Sequence, residues 1–291
     1  MKSQFDNLVT SSMVLFLDHK ICSEGSGFTN FSGEIYSINN SYFSYNTYSL
    51  PFKQIIADCS ISGANVMSGI YVNENFMKPG DSLITIPELP NNNLKFEGIN
   101  HYRGQVYFSG NPEGLVSGNY SIKDFNIYLT NKADEDILFK TQFVARPKTV
   151  QLITGLSDNS ETIPCIFIKN NGGENVPFAL GGVDNTRIEI RCIVLADNLY
   201  NLDAVCSILR DSAHEFMYTV ASNEVGLDNL GNFTSGCYNY NDIINSKIDS
   251  YEKLYIEQVR ISKVPNFGSN TIVYNNSIFS AFIDFTLRKI R

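Results

Sequence analysis

The sequence predicts a mostly β protein with an α+β C-terminal part. Three observations lead to this fold class. The 291 residues include 20 Phe and 16 Tyr, and aromatic side chains favour strands. Asn is also abundant, with runs such as 91–93, and Asn favours turns. Only one stretch, residues 201–220, has the spacing that predicts a long amphipathic helix.

The N-terminal half has the pattern of an antiparallel β-sandwich or barrel-like domain. Apolar residues at helical spacing within 5–21 predict a short helix before it. The Gly-, Ser- and Asn-rich stretch 25–50 predicts strands with many loops, and turn residues such as Pro79-Gly80 and Arg103-Gly104 separate the segments that follow. The clearest predicted strands are 69–73, 123–129 and 137–144, and 98–108 is predicted to form two short strands joined by a turn.

The C-terminal half has a β-α-β-β pattern, which predicts a sheet packed by one helix. Residues 187–196 alternate apolar and polar side chains, as a half-buried strand does. Residues 253–264 and 278–290 predict two more long strands. A loop at 170–175 and a Gly- and Asn-rich connection at 226–245 separate these elements.

The predicted helix 201–220 lies between the first and second of these strands. Its apolar residues recur at steps of three and four from Leu202 to Val220 and trace one face. Asn198 or Asn201 can supply the N-cap, because an Asn side chain accepts a hydrogen bond from a free backbone N–H. The polar face of this helix is predicted to contact solvent or another subunit.

We therefore predict two domains. Residues 1–145 form the β-rich domain, and residues 146–291 form the α+β domain that contains the helix at 201–220. The Arg146-Pro147 step marks the change of pattern. The chain is long enough for two hydrophobic cores of ordinary size.

Composition and charge argue against a disordered chain and against a nucleic-acid-binding surface. Apolar residues make up 43% and charged residues 18%, whereas disordered chains are poor in apolar residues. The net charge is −8, and no cluster of Lys and Arg is longer than two residues, as in Arg288-Lys289. Affinity for phosphates depends on concentrated basic side chains, so we expect no specific nucleic-acid binding.

The cysteines and the apolar segments indicate a protein made in a reducing compartment. The six Cys are widely spaced without a CxxC pair, which predicts reduced, structural thiols. The N-terminal residues lack the pattern of a secretory signal. No segment approaches the roughly 20 apolar residues that span a bilayer. We expect folding in the cytoplasm and no membrane partner.

No constellation of residues predicts catalysis or metal binding. His19 follows Asp18 directly, but a catalytic dyad needs groups that meet in space. His214 is predicted to lie on the solvated polar face of the helix. Residues 134–136 are acidic but lack the ligand spacing of a calcium loop, and a polar turn explains them. We therefore predict no catalytic, cofactor-binding or metal-ligating residue, no cofactor, and a protein that is not an enzyme.

Six segments spread over most of the chain carry a resemblance to a known group of proteins. They are LDHKI (17–21), ISGANVMSGIYVNENFMKPGDSL (61–83), INHYRGQVYF (99–108), SGNYSIKDFNIYLT (117–130), ADNLYNLDAVCSILRD (196–211) and FIDFTLRKIR (282–291). These segments resemble virion structural proteins of T4-like tailed bacteriophages, particularly marine ones. The β-α-β-β half is similar to tail-terminator and neck subunits.

The resemblance implies a non-enzymatic subunit of the neck, head-to-tail connection or tail terminus of a virion. Such a subunit would assemble in the host cytoplasm into a ring of six or twelve copies and would contact neighbouring neck and tail proteins. An acidic lumen would let DNA pass because like charges repel. The alternative is a receptor-binding or glycan-active peripheral tail protein, which predicts trimers at the particle periphery and a cleft with two carboxylates.

Overall fold

A computed structural model describes residues 5–42, 44–84, 93–140, 144–145, 161–177, 184–221, 225, 236–248, 252–264 and 278–290. The helices are α1 (Phe5–Glu24), α2 (Leu199–Asp211) and α3 (Tyr240–Lys247), and a π-helical turn spans Asp136–Lys140. The strands are β1 (Phe28–Glu34), β2 (Tyr36–Tyr42), β3 (Tyr45–Ser49), β4 (Ile70–Val72), β5 (Asn75–Met77), β6 (Ser82–Ile84), β7 (Asn93–Asn100), β8 (Gln105–Phe108), β9 (Val116–Lys123), β10 (Asn126–Leu129), β11 (Val144–Ala145), β12 (Thr162–Ile163), β13 (Cys165–Pro177), β14 (Asp184–Ala196), β15 (Phe216–Tyr218), β16 (Lys253–Val264) and β17 (Phe279–Ile290).

The N-terminal strands form two antiparallel sheets that share one core, as the sequence predicted. One sheet has the order β1-β9-β4-β5, and the other has the order β2-β3-β8-β7-β6. Side chains of both sheets meet in a single buried cluster that includes Tyr120, Phe96 and Phe108. Gly104 makes the predicted turn between β7 and β8 at a φ of 64°, where a Cβ would collide with the Phe52 carbonyl oxygen.

The C-terminal strands form a six-stranded mixed sheet with helices on one face. The strand order is β10-β13-β14-β17-β16-β15, and only β10 and β13 run parallel among the neighbouring pairs described. The predicted β-α-β-β arrangement is confirmed in β14, α2, β16 and β17. Helices α1 and α2 bury their apolar side chains in one core with the inner face of this sheet. The one-helix prediction was therefore incomplete, because α1 covers the sheet as well.

Helix α1 is longer than the short N-terminal helix that the sequence predicted, since it continues to Glu24. Most of its central residues are buried, which explains why apolar residues fill the gaps in its helical pattern. None of the helices in the described ranges combines the length and the apolar character needed to cross a membrane.

The predicted helix 201–220 was wrong at its C-terminal end. Helix α2 ends at Asp211, and 216–218 form strand β15 beside β16. The apolar residues keep a spacing of three and four beyond the end of the helix, but this spacing is a coincidence. Met217 is buried while Phe216 is 50% exposed, and such alternation of buried and exposed side chains is that of a strand. The N-cap is Asn198, whose Oδ1 accepts a 2.7 Å hydrogen bond from the N–H of Asn201.

Two predicted strands of the N-terminal half also need correction. The predicted strand 123–129 is divided at Asp124, whose N–H donates to the Gly27 carbonyl oxygen at 2.7 Å. Strand β9 before this point belongs to the sandwich, and β10 after it belongs to the six-stranded sheet. In the predicted strand 137–144, the described part begins as the π-helical turn, which places Ile137 in a small apolar cluster beneath β13 and β14.

Two predicted loops of the C-terminal half contain regular structure. Residues 170–175 belong to β13, where a bulge between Asn170 and Gly173 absorbs the polar residues. A Cβ at Gly173 would collide with the Arg187 carbonyl oxygen, so glycine is required there. In the predicted connection 226–245, the described part contains the start of α3, which Asn239 caps by accepting from the Asp242 N–H at 3.1 Å.

The two-domain division at residue 145 stays a prediction, and the 146–147 step lies outside the described residues. Two elements from the N-terminal side of that position contribute to the C-terminal core. Strand β10 pairs with β13, and helix α1 packs on the inner face of the six-stranded sheet. The sandwich and the six-stranded sheet are therefore joined by more than a linker.

Candidate functional site

A polar cluster lies where helix α1 meets the segment before Ser60 and the start of α3. Its centre is the pair His19 and Asp58, whose Nδ1 and Oδ2 atoms are 2.8 Å apart. The Asp58 side chain is 1% exposed and the His19 side chain is 16% exposed. The rings of His19 and Tyr240 also contact each other, with centroids 4.6 Å apart. The cluster therefore holds three distant parts of the chain together.

The Asp58 carboxylate accepts most of the hydrogen bonds in this cluster. Its Oδ1 accepts hydrogen bonds from the Ser60 hydroxyl at 2.7 Å, the Ser60 N–H at 2.9 Å and the Tyr240 N–H at 3.1 Å. Burial alone would raise the pKa of Asp58, but the hydrogen bonds from His19, Ser60 and Tyr240 outweigh it and lower that pKa. The carboxylate is therefore held in its charged form.

The geometry of His19, Asp58 and Ser60 differs from that of a catalytic triad. In a triad, the carboxylate and the serine engage opposite nitrogens of the imidazole. Here the Ser60 hydroxyl lies 3.4 Å from Nδ1, the nitrogen that already contacts Asp58. The serine is therefore bound as a partner of the carboxylate and is not activated as a nucleophile. The arrangement orients His19 and fixes the junction.

A buried ion pair stands next to this cluster. Lys123 at the end of β9 places its Nζ 2.6 Å from Oδ1 of Asp18, and both side chains are less than 5% exposed. The ammonium and the carboxylate therefore form a charge pair that is almost fully removed from solvent. The Tyr238 hydroxyl donates to the other Asp18 oxygen at 3.3 Å. This pair links helix α1 to the sandwich.

The cysteines carry no reactive thiolate. All six are free, four of them are buried, and Cys59 and Cys237 are exposed with their side chains in contact. Burial raises the pKa of Cys237 to about 12, and it raises the pKa of Cys59 as well. Nucleophilic cysteines need a lowered pKa, so these thiols stay protonated at neutral pH.

The open face of the six-stranded sheet carries charged side chains. Arg191 on β14 makes a two-point contact with Asp284 on β17, at 2.7 and 3.0 Å, and also binds Asp134 at 2.8 Å. Lys169 lies 3.2 Å from Asp134. Burial alone would raise the pKa of Asp134, but its bonds to Arg191 and Lys169 outweigh it and lower that pKa. Asp134, the first residue of the acidic stretch 134–136, is thus bonded to two cationic side chains.

A cleft of about 400 Å³ opens on the same face at the other end of the sheet. Arg187, Arg288, His214 and Glu257 are among the residues that line it. Contrary to the sequence-based prediction, His214 is not on a helix. It lies in the turn between α2 and β15 at a φ of 71°, and its Nδ1 is 2.8 Å from the Tyr255 hydroxyl.

The two edges of the six-stranded sheet differ. The edge of β10 is closed by the Gln54 side chain, which exchanges two hydrogen bonds with the backbone of Ile127. On the other side of the sheet, β15 pairs with β16 only at residues 253–255. Within the part of the chain that the structure describes, no strand pairs with the outer edge of 258–264. This free edge of β16 is a surface for backbone hydrogen bonds.

Sequence reasoning found none of these groupings. His19 and Asp58 are separated by 39 positions, and Arg187 and Arg288 lie on different strands. Neither pair has a local signature, because pairing depends on how α1 and the strands pack. Across the described ranges, no group of three or more His, Cys, Asp or Glu is placed to hold a metal ion.

Comparison with known proteins gives no family assignment: no protein-family model, no curated protein and no solved structure matches the chain.

Proposed function

We propose that the chain is a non-enzymatic structural subunit of a tailed-bacteriophage particle, and that copies of it form a ring at the neck, the head-to-tail connection or the tail terminus. The observation that carries the proposal is the free edge of β16 at 258–264. The phage setting is supported by the resemblance of segments such as 196–211 and 282–291 to virion structural proteins of T4-like phages.

Edge-strand pairing suits a ring subunit because it supplies many hydrogen bonds from a rigid element. Natural proteins close or protect edges that must not pair. Gln54 closes the β10 edge in this way, whereas none of the described strands pairs with the outer edge of β16 over the seven residues 258–264. A ring needs a heterologous contact, so the β16 edge of one copy would meet a different surface on the next.

The contacts that fix helix α1 are also compatible with a structural subunit of a particle. The ion pair of Asp18 and Lys123 and the contact of His19 with Asp58 fix helix α1 against the sandwich. A subunit held between neighbours benefits from such links, because the relative position of its two halves then survives assembly.

The proposal is tested on the purified chain and on phage particles. Native mass spectrometry and electron microscopy of the purified chain should show closed rings of about six or twelve copies. Mass spectrometry of purified virions should detect the chain, and labelling should place it at the head–tail junction.

A protein that stays strictly monomeric and is missing from the virion would contradict the proposal. Trimers located at the particle periphery would instead favour a receptor-binding or glycan-active protein. The two outcomes are separated by copy number and by position in the particle.

A further inference from the structure

We infer that the cleft on the open face of the six-stranded sheet, lined by Arg187 and Arg288, binds an oxyanion of the phosphate or carboxylate type. The cleft has a volume of about 400 Å³, which is room for a small molecule that bears such a group. The inference does not depend on ring assembly, because it uses side chains of a single copy.

The two arginines are placed side by side by the register of the sheet. Arg187 on β14 and Arg288 on β17 are directly opposite partners. Opposite side chains in antiparallel strands have Cβ atoms about 4.5–5.5 Å apart, and like charges at such positions destabilise the pair. A bound anion between the two guanidinium groups would remove that repulsion and accept charge-assisted hydrogen bonds from both.

The protein's own carboxylates neutralise this pair incompletely. Glu257 accepts a 2.6 Å hydrogen bond from Nη2 of Arg288. Among the described residues, Arg187 forms an ion pair with Glu189, whose Oε1 is 3.7 Å from Nη2, beyond hydrogen-bonding distance. Among the described residues, the Arg187 guanidinium has no hydrogen-bond partner, although a guanidinium carries five N–H donors. Arg187 is therefore the group with the greatest unused capacity for an anion.

The wall of the cleft adds groups that suit the same ligand. His214 is held by its backbone, because its N–H donates to the Ile256 carbonyl oxygen at 2.8 Å, and by the contact of Nδ1 with the Tyr255 hydroxyl. Its second ring nitrogen has no partner within the described ranges. Thr286, which carries a hydroxyl group, also lines the cleft. Imidazole, hydroxyl and guanidinium groups all donate hydrogen bonds to oxyanions.

A bulge in β16 shapes the cleft. The register between β16 and β17 shifts between Ile256 and Gln258, so Glu257 is the additional residue. Bulges redirect a side chain and are common beside binding sites. Here the bulge residue Glu257 bonds to Arg288, whereas within the described ranges no carboxylate makes an equivalent hydrogen bond to Arg187. The asymmetry gives the ligand one strong contact point at Arg187 and a second one at Arg288.

Isothermal titration calorimetry of the full chain tests the inference with two probes, inorganic phosphate and malonate, at constant ionic strength. We expect at least one probe to bind with a Kd on the order of 1 mM. The double substitution Arg187→Gln and Arg288→Gln should weaken that binding by at least about tenfold. Binding of phosphate alone identifies a phosphate-type ligand, and binding of malonate alone identifies a carboxylate-type ligand.

Arg260→Gln is the matched control, because Arg260 lies on the same sheet but does not line the cleft. It should bind either probe as the unmodified chain does. The single substitution Arg187→Gln leaves the Arg288–Glu257 pair in place and repeats the test if the double variant does not fold. The inference is overturned if neither probe binds, or if Arg187→Gln and the control bind equally well.

Discussion

Gln54 and Ile127 exchange two hydrogen bonds that close one edge of the six-stranded sheet. Nε2 of Gln54 donates to the Ile127 carbonyl oxygen at 2.8 Å, and the Ile127 N–H donates to Oε1 of Gln54 at 2.7 Å. Gln54 is 3% exposed and has a backbone φ of 54°. A side-chain amide thus takes the place of a neighbouring strand at β10, while no strand in the described part of the chain pairs with the outer edge of β16 at 258–264.

Replacing Gln54 with Ala should destabilise the protein, because it leaves the N–H and the carbonyl oxygen of Ile127 buried without these partners. Each unsatisfied buried group costs about 1–3 kcal/mol, so for the two groups we expect the free energy of unfolding to fall by about 2–6 kcal/mol. Urea denaturation measures the change. Gln258→Ala, at an exposed position of β16, is the control and should change it by less than about 0.5 kcal/mol. Equal effects of the two substitutions would contradict this role of Gln54.

Acidification should destabilise the protein through His101. Burial lowers the pKa of this side chain from 6.5 to about 4, with a smaller lowering by Lys123, although Nε2 lies 2.9 Å from the Met67 carbonyl oxygen. Between these pH values the unfolded chain binds a proton that the folded chain does not. The free energy of unfolding should therefore fall as the pH drops from 6.5 to 4, by about 3 kcal/mol in total.

Urea denaturation across this pH range checks the prediction about His101, with His101→Gln as the comparison. The variant lacks the titrating ring, so its free energy of unfolding should depend less steeply on pH between 4 and 6.5. The account of His101 fails if the two proteins lose stability with the same slope.

Removing one partner of the buried Asp18–Lys123 pair should lower the free energy of unfolding more than removing both partners. Lys123→Met leaves the Asp18 carboxylate buried without its cation, and we expect a loss of about 3–5 kcal/mol in the free energy of unfolding. The double variant with Asp18→Asn removes the stranded charge and should recover most of that loss. A double-mutant cycle by urea denaturation measures the coupling, and purely additive losses would argue against a direct charge pair.

Local patterns predicted the long strands well and the ends of elements less well. The predicted strand 253–264 coincides with β16, because alternation over twelve residues is a local property of the sequence. The helix 201–220 was overextended because its C-terminal residues keep a helical spacing while pairing with β16 instead. The split of 123–129 was not visible either, because it depends on which sheet each half joins.

The candidate sites lay beyond sequence reasoning for a related physical reason. His19 contacts Asp58 because helix α1 packs next to the segment that precedes Ser60, and no local pattern encodes that packing. The arginine pair depends on the register of β14 and β17. Histidine at 19 and the basic residue at 288 were both noted in the sequence, but their partners could be recognised only in the folded chain.

The design of an edge-blocking variant follows from the ladder of β16. The Ile256 N–H donates to the Glu215 carbonyl oxygen, and the Ile256 carbonyl oxygen accepts from the His214 N–H, so the backbone groups of Ile256 point to the β15 side. The backbone groups of Tyr255 therefore point to its partner Arg288 on β17. The backbone N–H and C=O groups of alternate residues of β17 then point to β16. The register partners of these residues on β16 are Gln258, Arg260 and Ser262. The N–H groups that point to the free edge are those of Val259, Ile261 and Lys263.

The mass of the purified chain in solution tests ring assembly through β16 most directly. Proline at 261 and 263 removes two edge donors without removing donors to β17, and the double variant Ile261→Ala, Lys263→Ala controls for the lost side chains. Light scattering coupled to size-exclusion chromatography should show multimers for the unmodified chain and the alanine variant, and a 32.6 kDa monomer for the proline variant. A monomeric unmodified chain, or a proline variant that assembles like the alanine variant, would contradict the account.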